Sequence, residues 1–118
     1  MTTYATTALQ IRVARVDEAP VVMLTGEVDL STVVQLAAAL EPLDGHVVVD
    51  LDGLSFLDCM GIGNLVAARN RLVADGGDLH LRSPQDRVRR VLELLGLDDW
   101  IIEAGRAEPV NARDSTRE

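Results

Sequence analysis

The segment His46–Leu51, HVVVDL, is a short apolar run of the kind found in a sheet strand covered on both faces. Beyond it the period changes. Ile62, Leu65, Val66, Arg69, Leu72 and Val73 recur at intervals of three and four, the spacing of an amphipathic helix that starts near Cys59 or Met60. DGGD (Asp75–Asp78) ends that helix, and LHLR (Leu79–Arg82) reads as the next strand. A strand, a helix of several turns and a second strand form a βαβ unit, whose strands run parallel and need the helix to cross between them. This unit commits the chain to an α/β architecture.

The flanking segments extend the pattern. Leu9, Ile11 and Val13 alternate with Gln10, Arg12 and Ala14, as in a half-buried strand. VDEAP breaks it, and VVMLTG (Val21–Gly26) follows closely enough to predict an antiparallel hairpin. GEVDLS offers Asp29 or Ser31 as an N-cap for a helix carrying Val33, Val34, Leu36, Ala37 and Leu40, which Pro42 stops. Ser83 and Pro84 predict an N-cap and first turn for a third helix, with Val88, Val91, Leu92 and Leu95 on its buried face and Gly96 as its left-handed terminator. Trp100–Glu103 reads as a last short strand. Residues 1–7 are expected to be a flexible N-terminus, and 104–118, poor in apolar residues and without period, a mobile C-terminal tail. The expected fold is thus one α/β domain over residues 8–103: a mixed β-sheet, antiparallel in its N-terminal hairpin and otherwise largely parallel, with helices packed against it.

Composition narrows the functions. The 118 residues are 47% apolar but only 3% aromatic, so one aliphatic core is expected. A net charge of −8, with arginine as the only basic type besides histidine, argues against nucleic acid and against anionic membrane surfaces as partners. A single cysteine cannot close an internal disulfide, and no spacing of ligands suggests a metal or other cofactor. The opening MTTYATTALQ lacks the basic and apolar regions of a signal peptide, and no stretch approaches the ~20 apolar residues of a membrane span. A cytoplasmic location is the simplest expectation.

In open α/β sheets, function gathers beyond the C-terminal ends of parallel strands. The loop after HVVVDL is such an end, and it leads through DGLSFLD to a helix start whose free N–H groups and dipole favour negative charge. Four features there can be weighed. GIGNLV begins like a dinucleotide fingerprint but has Val66 in place of the third glycine and follows the wrong strand, so close helix packing explains its glycines better. Cys59 as a nucleophile would need His46 or His80 as base, and both belong to strands entering from the other side. Asp50, Asp52 and Asp58 could converge on Mg²⁺, but strand termination by the first two and helix capping by Asp58 account for them. Arg87, Arg89 and Arg90 fit a solvated helix face.

The stretch VVVDLDGLSFLDCMGIGNLVAARNRLVADGGDLHL resembles the central motif of the STAS domain of bacterial anti-sigma-factor antagonists. There an apolar strand leads to a Phe-Ile/Leu-Asp-Ser-Ser/Thr-Gly-Leu turn, a helix, a Gly-Gly pair and another strand. Upstream, LTGEVDLST is similar to the family's Gly-Glu-Leu-Asp segment, and downstream SPQDRVRRVLELLGLDDW to its third helix. The resemblance implies a binding protein, not an enzyme, that occupies an anti-sigma factor and so releases a sigma factor to regulate transcription. It implies as partner a serine kinase of the histidine-kinase-like ATPase fold, which breaks the complex by phosphorylating the serine of the turn. In this chain Cys59 stands at that acceptor position, with Asp58 before it, Met60 in place of a small hydroxyl residue, and Gly61 at the motif glycine; Asp29 matches the aspartate of the upstream segment. Asp29, Asp58, Cys59, Met60 and Gly61 are therefore the expected partner-binding residues. A thiol has nearly the shape of a hydroxyl but is a poor acceptor for a serine kinase, so phosphoregulation at this position is expected to be lost or altered. Two alternatives stay open: a thiol redox switch through Cys59, and a STAS subunit of a lipid-transport ABC system or a stressosome-like assembly. Ser55 is a nearby hydroxyl outside the motif position. Nothing in the sequence sets the oligomeric state.

Overall fold

A computed structural model describes the backbone of residues 2–5 and the whole of residues 8–102. The elements run β1 (Thr2–Ala5), β2 (Leu9–Val16), β3 (Ala19–Val28), α1 (Val33–Leu40), β4 (His46–Leu57), α2 (Cys59–Ala74), β5 (Asp78–Arg82), α3 (Asp86–Leu94), a 3₁₀ turn (Asp98–Trp100) and β6 (Ile101–Ile102). The strands lie in one sheet in sequence order. β1–β2 and β2–β3 pair antiparallel; β3–β4, β4–β5 and β5–β6 pair parallel. The α/β class and the mixed sheet are as expected.

Each parallel step moves one strand further in the same direction. Right-handed crossovers then put α1, α2 and α3 on the same face of the sheet. The burial follows: Leu36 and Leu40 of α1, Ile62, Leu65 and Leu72 of α2, and Val88 and Leu92 of α3 join Ile11, Leu24, Val49, Leu51 and Leu81 of the strands in one core. The core is aliphatic, as the composition requires.

The other face is open, which corrects the expectation that HVVVDL is covered on both sides. Along β4, Val47, Val49 and Leu51 are buried while Val48 and Asp50 are only half-buried. Asp50 uses that open face to hold Arg82 of the neighbouring strand, its Oδ2 accepting from Nη2 at 2.9 Å and Nε at 3.1 Å. Three consecutive valines could satisfy either arrangement, because an apolar side chain on a half-open strand costs little.

The strands are longer than their periodicity suggests. β4 continues through Asp52 and Gly53 to Leu57, so Asp50 and Asp52 do not terminate it. Two register shifts in its pairing with β3, at Met23/Thr25 and at Gly26/Glu27, carry the pairing through and change which parity faces inward: Leu51 and then Leu54 are buried. Gly26 makes the second shift possible. Its φ is 114°, and a Cβ there would run into the Ala8 carbonyl, which accepts from the Glu27 N–H at 2.9 Å.

Two helix starts and one strand start also differ from expectation. The N-cap of α1 is Thr32, not Asp29 or Ser31. Ser83 takes φ 57°, so the chain turns sharply there and α3 starts after Gln85, whose side-chain amide donates to the Asp52 carbonyl at 2.8 Å. Trp100 lies in the 3₁₀ turn rather than in a strand. Gly96 is left-handed as expected (φ 74°), and the bonds Gly96 N–H to Glu93 O and Leu97 N–H to Leu92 O close α3 in a Schellman motif. The segment 1–7, expected to be flexible, contains β1: Thr and Tyr favour strands, and an edge strand needs only a partner backbone. Glu103 and the expected tail 104–118 lie outside the described residues.

Candidate functional site

β3 and β4 end side by side. Val28 pairs with Leu57, and the Asp58 N–H donates to the Val28 carbonyl at 3.2 Å. Each strand is followed by an aspartate and a helix, so Asp29 and Asp58 sit at the same end of the sheet, beyond the C-terminal ends of parallel strands.

Asp58 is the N-cap of α2, with extended backbone (φ −99°, ψ −176°). Its Oδ1 accepts from the N–H groups of Met60 (3.0 Å) and Gly61 (3.1 Å), and its carbonyl accepts from Ile62 N–H at 3.0 Å. These bonds satisfy donors that a helix start otherwise leaves bare. Cys59 is the first residue of α2, with an exposed free thiol. Met60 is 47% exposed. Gly61 is buried, and a Cβ there would stand 2.5 Å from Leu57 Cδ1 and 2.6 Å from Val28 Cγ1. The glycine is therefore a packing requirement that lets α2 start hard against the ends of β3 and β4. Gly63, the other glycine of GIGNLV, faces open space.

Asp29 is held differently. Its Oδ1 accepts from the Ser31 N–H at 2.9 Å and the Ser31 hydroxyl at 2.8 Å. The Ser31 hydroxyl bond, outweighing a smaller desolvation, holds the carboxyl below its usual value, with the Ser31 N–H and Thr32 adding to the effect. Asp29 therefore carries its charge even in mild acid. Thr32 is the one polar side chain buried among the described residues. It accepts from the Asp29 N–H at 3.0 Å and donates to the Glu27 carbonyl at 2.9 Å. It ties the start of α1 to the end of β3.

Around these two turns lie large apolar side chains that the core does not use. Leu30 is 71% exposed and Val34 72%, and next to the second turn Met60 is 47% and Phe56 40% exposed. The sequence motif marks Met60 but not the others, and the helical pattern alone places Val34 in the buried stripe of α1. The spacing holds the missing signal: Val33, Leu36, Ala37 and Leu40 form one helical face, and Val34 falls off it. Val73 in the last turn of α2 and Leu95 at the C-cap of α3 lie on their expected apolar faces yet are 49% and 55% exposed, which corrects the expectation that Leu95 is buried.

The other sequence features fall elsewhere. His46 opens β4 and His80 pairs with Val48 near that same end, whereas Cys59 follows the far end of the strand. Asp50 is bound to Arg82 and also accepts the Asp52 N–H at 2.9 Å, while Asp58 is committed to its helix. The three aspartates do not converge. Ser55 is exposed, but within β4, with its hydroxyl donating to the Gly26 carbonyl at 3.0 Å. Among the described residues no helix is long and apolar enough to cross a membrane.

The sheet in sequence order, with the capped turn of Asp58 and the turn of Asp29 where β3 and β4 end, makes this end of the sheet the candidate site. Residues 11–103 match the family model described as Mlab, STAS domain, and the chain belongs to the STAS domain family. An anti-sigma F factor antagonist of Lysinibacillus sphaericus is 29% identical over 99 residues, 80% of this chain and 85% of that protein. An anti-sigma-B factor antagonist of Staphylococcus aureus is 32% identical over 95 residues, 77% of this chain and 88% of that protein. Among solved structures, the anti-sigma factor antagonist SpoIIAA in its unphosphorylated form superposes with a TM-score of 0.72 at 27% identity, covering 80% of this chain and 87% of that one.

Proposed function

We propose that this protein is an anti-sigma factor antagonist: a binding protein, not an enzyme, that engages an anti-sigma factor of the serine-kinase type and thereby frees a sigma factor. The observation that carries the reading is the turn at the start of α2, where Asp58 caps the helix, Gly61 packs it against Val28 and Leu57, and position 59 is left exposed. The names of the relatives supply the class of partner. Asp29, Asp58, Cys59, Met60 and Gly61 form or support the contact surface, and Leu30 and Val34 extend it with exposed apolar area.

In this reading position 59 does not serve as a phosphoacceptor. A phosphate there would bring about −1.5 to −2 charges to a packed surface beside Asp58 and oppose binding. Cys59 offers no hydroxyl, so no phosphate is added at position 59 and the first turn of α2 keeps its form. The test is binding of the purified protein to each anti-sigma factor of the source genome, by calorimetry, with and without Mg-ATP. A complex is expected in the low micromolar range or tighter, with Met60→Glu weakening it by about tenfold or more. Absence of binding to every such protein would overturn the reading.

A further inference from the structure

We propose that Ser31 is a phosphorylation site of this protein, supplying the acceptor hydroxyl that position 59 lacks. The inference rests on the antagonist reading above, since it uses the same surface and the same kinase partner.

The hydroxyl-bearing residues around the site separate by geometry. Thr32 is buried, with its hydroxyl donating to the Glu27 carbonyl. Thr25 and Ser55 are exposed but lie within paired strands, where the backbone cannot be drawn into a kinase cleft without breaking the ladder between β3 and β4. Ser31 is exposed and lies in the turn between β3 and α1, outside any ladder. It stands between Leu30 and Val34, the most exposed large apolar side chains at this end of the sheet. A partner that covers those two side chains also covers Ser31.

The consequence of modification follows from the contacts already made. The Ser31 Oγ lies 2.8 Å from Asp29 Oδ1 as a hydrogen-bond donor. In the transfer, Oγ attacks the γ-phosphorus of the partner's bound nucleoside triphosphate, the bond to the β-phosphate oxygen breaks, the nucleoside diphosphate leaves, and the hydroxyl proton passes to a carboxylate. The product has no hydroxyl hydrogen to give Asp29. It places a phosphate of about −1.5 to −2 charges against the Asp29 carboxylate, next to apolar side chains a partner must desolvate. Asp29 thus makes the neutral serine favourable and the phosphoserine costly, which is what a switch at an interface requires.

The experiment incubates the full chain with each serine-kinase anti-sigma factor of the source genome and Mg-ATP, and locates phosphate by tandem mass spectrometry. One phosphoryl group on Ser31 is expected in the wild type, none in Ser31→Ala, and a second in Cys59→Ser. Ser31→Asp should weaken binding by about tenfold or more relative to its uncharged counterpart Ser31→Asn. If Cys59→Ser is phosphorylated only at position 59 and the wild type not at all, the Ser31 proposal fails although binding, and with it the antagonist reading, stands. If no anti-sigma factor binds, both fall. Phosphate on Ser55 instead of Ser31 also overturns it.

Discussion

Both α1 and α2 follow an aspartate at the end of a parallel strand, and their first turns are built differently. Asp58 caps its helix directly, and the turn is packed from below through Gly61. Asp29 caps no helix N–H; its side chain is spent on Ser31, and Thr32 takes over the structural role by bridging to Glu27. The first arrangement leaves position 59 exposed on a backbone anchored at several points. The second leaves Leu30 and Ser31 on a turn tied by Asp29 and Thr32, with Val34 exposed on the first turn of α1.

The comparison can be broken most severely at Gly61. Gly61→Ala should cost about 1–3 kcal/mol despite alanine's better helix propensity, because Val28 and Leu57 must move; urea midpoints measure it. Gly63→Ala, with nothing near its Cβ, is the control and should instead stabilise by up to about 1 kcal/mol. Ahead of α1, Thr32→Val keeps the shape but leaves the Glu27 carbonyl and Asp29 N–H without their partner, for a loss of about 1–2 kcal/mol in thermal unfolding. Asp58→Ala should cost about 1 kcal/mol, the ordinary value of an N-cap, and hydrogen exchange should show faster opening at Met60 and Gly61. Asp29→Ala should cost less than Asp58→Ala, since no helix donor is lost.

The smallest effect is the pH dependence of Asp29. Its carboxyl lies below the ordinary 3.8, so its stabilisation is present above the unfolded value and is lost as pH falls through the lower, folded one. An NMR titration of the Asp29 carboxyl carbon should give a midpoint below 3.8, and Ser31→Ala should move it upward. Asp78 should behave likewise: burial raises its carboxyl, but the Arg69 hydrogen bond, the Leu79 N–H and the charges of Arg69 and His80 outweigh this and lower it.

Much of this is legible in the sequence, for local reasons. The span of α2 follows from its period, and the cap at Asp58 and the left-handed Gly96 are properties of a few adjacent residues. What is not legible depends on partners distant in sequence. β4 reads as ending at Asp50 and Asp52 because acidic residues usually leave strands, yet Asp50 stays in the sheet through Arg82, thirty-two residues on. Ser83–Pro84 is a good helix start in isolation, but the positive φ of Ser83 and the reach of Gln85 to Asp52 delay α3. Leu30 and Val34 look like core residues to any hydrophobicity count; the helical spacing gives Val34 away, and no local pattern does so for Leu30.

The sequence alone determined the α/β order, the aliphatic core and the lone Cys59 thiol at the start of a helix, because each is written in residue type and spacing. The tertiary structure decided that all three helices cover one face, that Gly61 is a packing contact, and that Asp29, Ser31 and Cys59 share one end of the sheet. The first follows from parallel crossovers that all step the same way, the others from the pairing of Val28 with Leu57 and the register shifts that let β3 and β4 end together. Contacts of that kind join residues about thirty positions apart, beyond the reach of any local pattern.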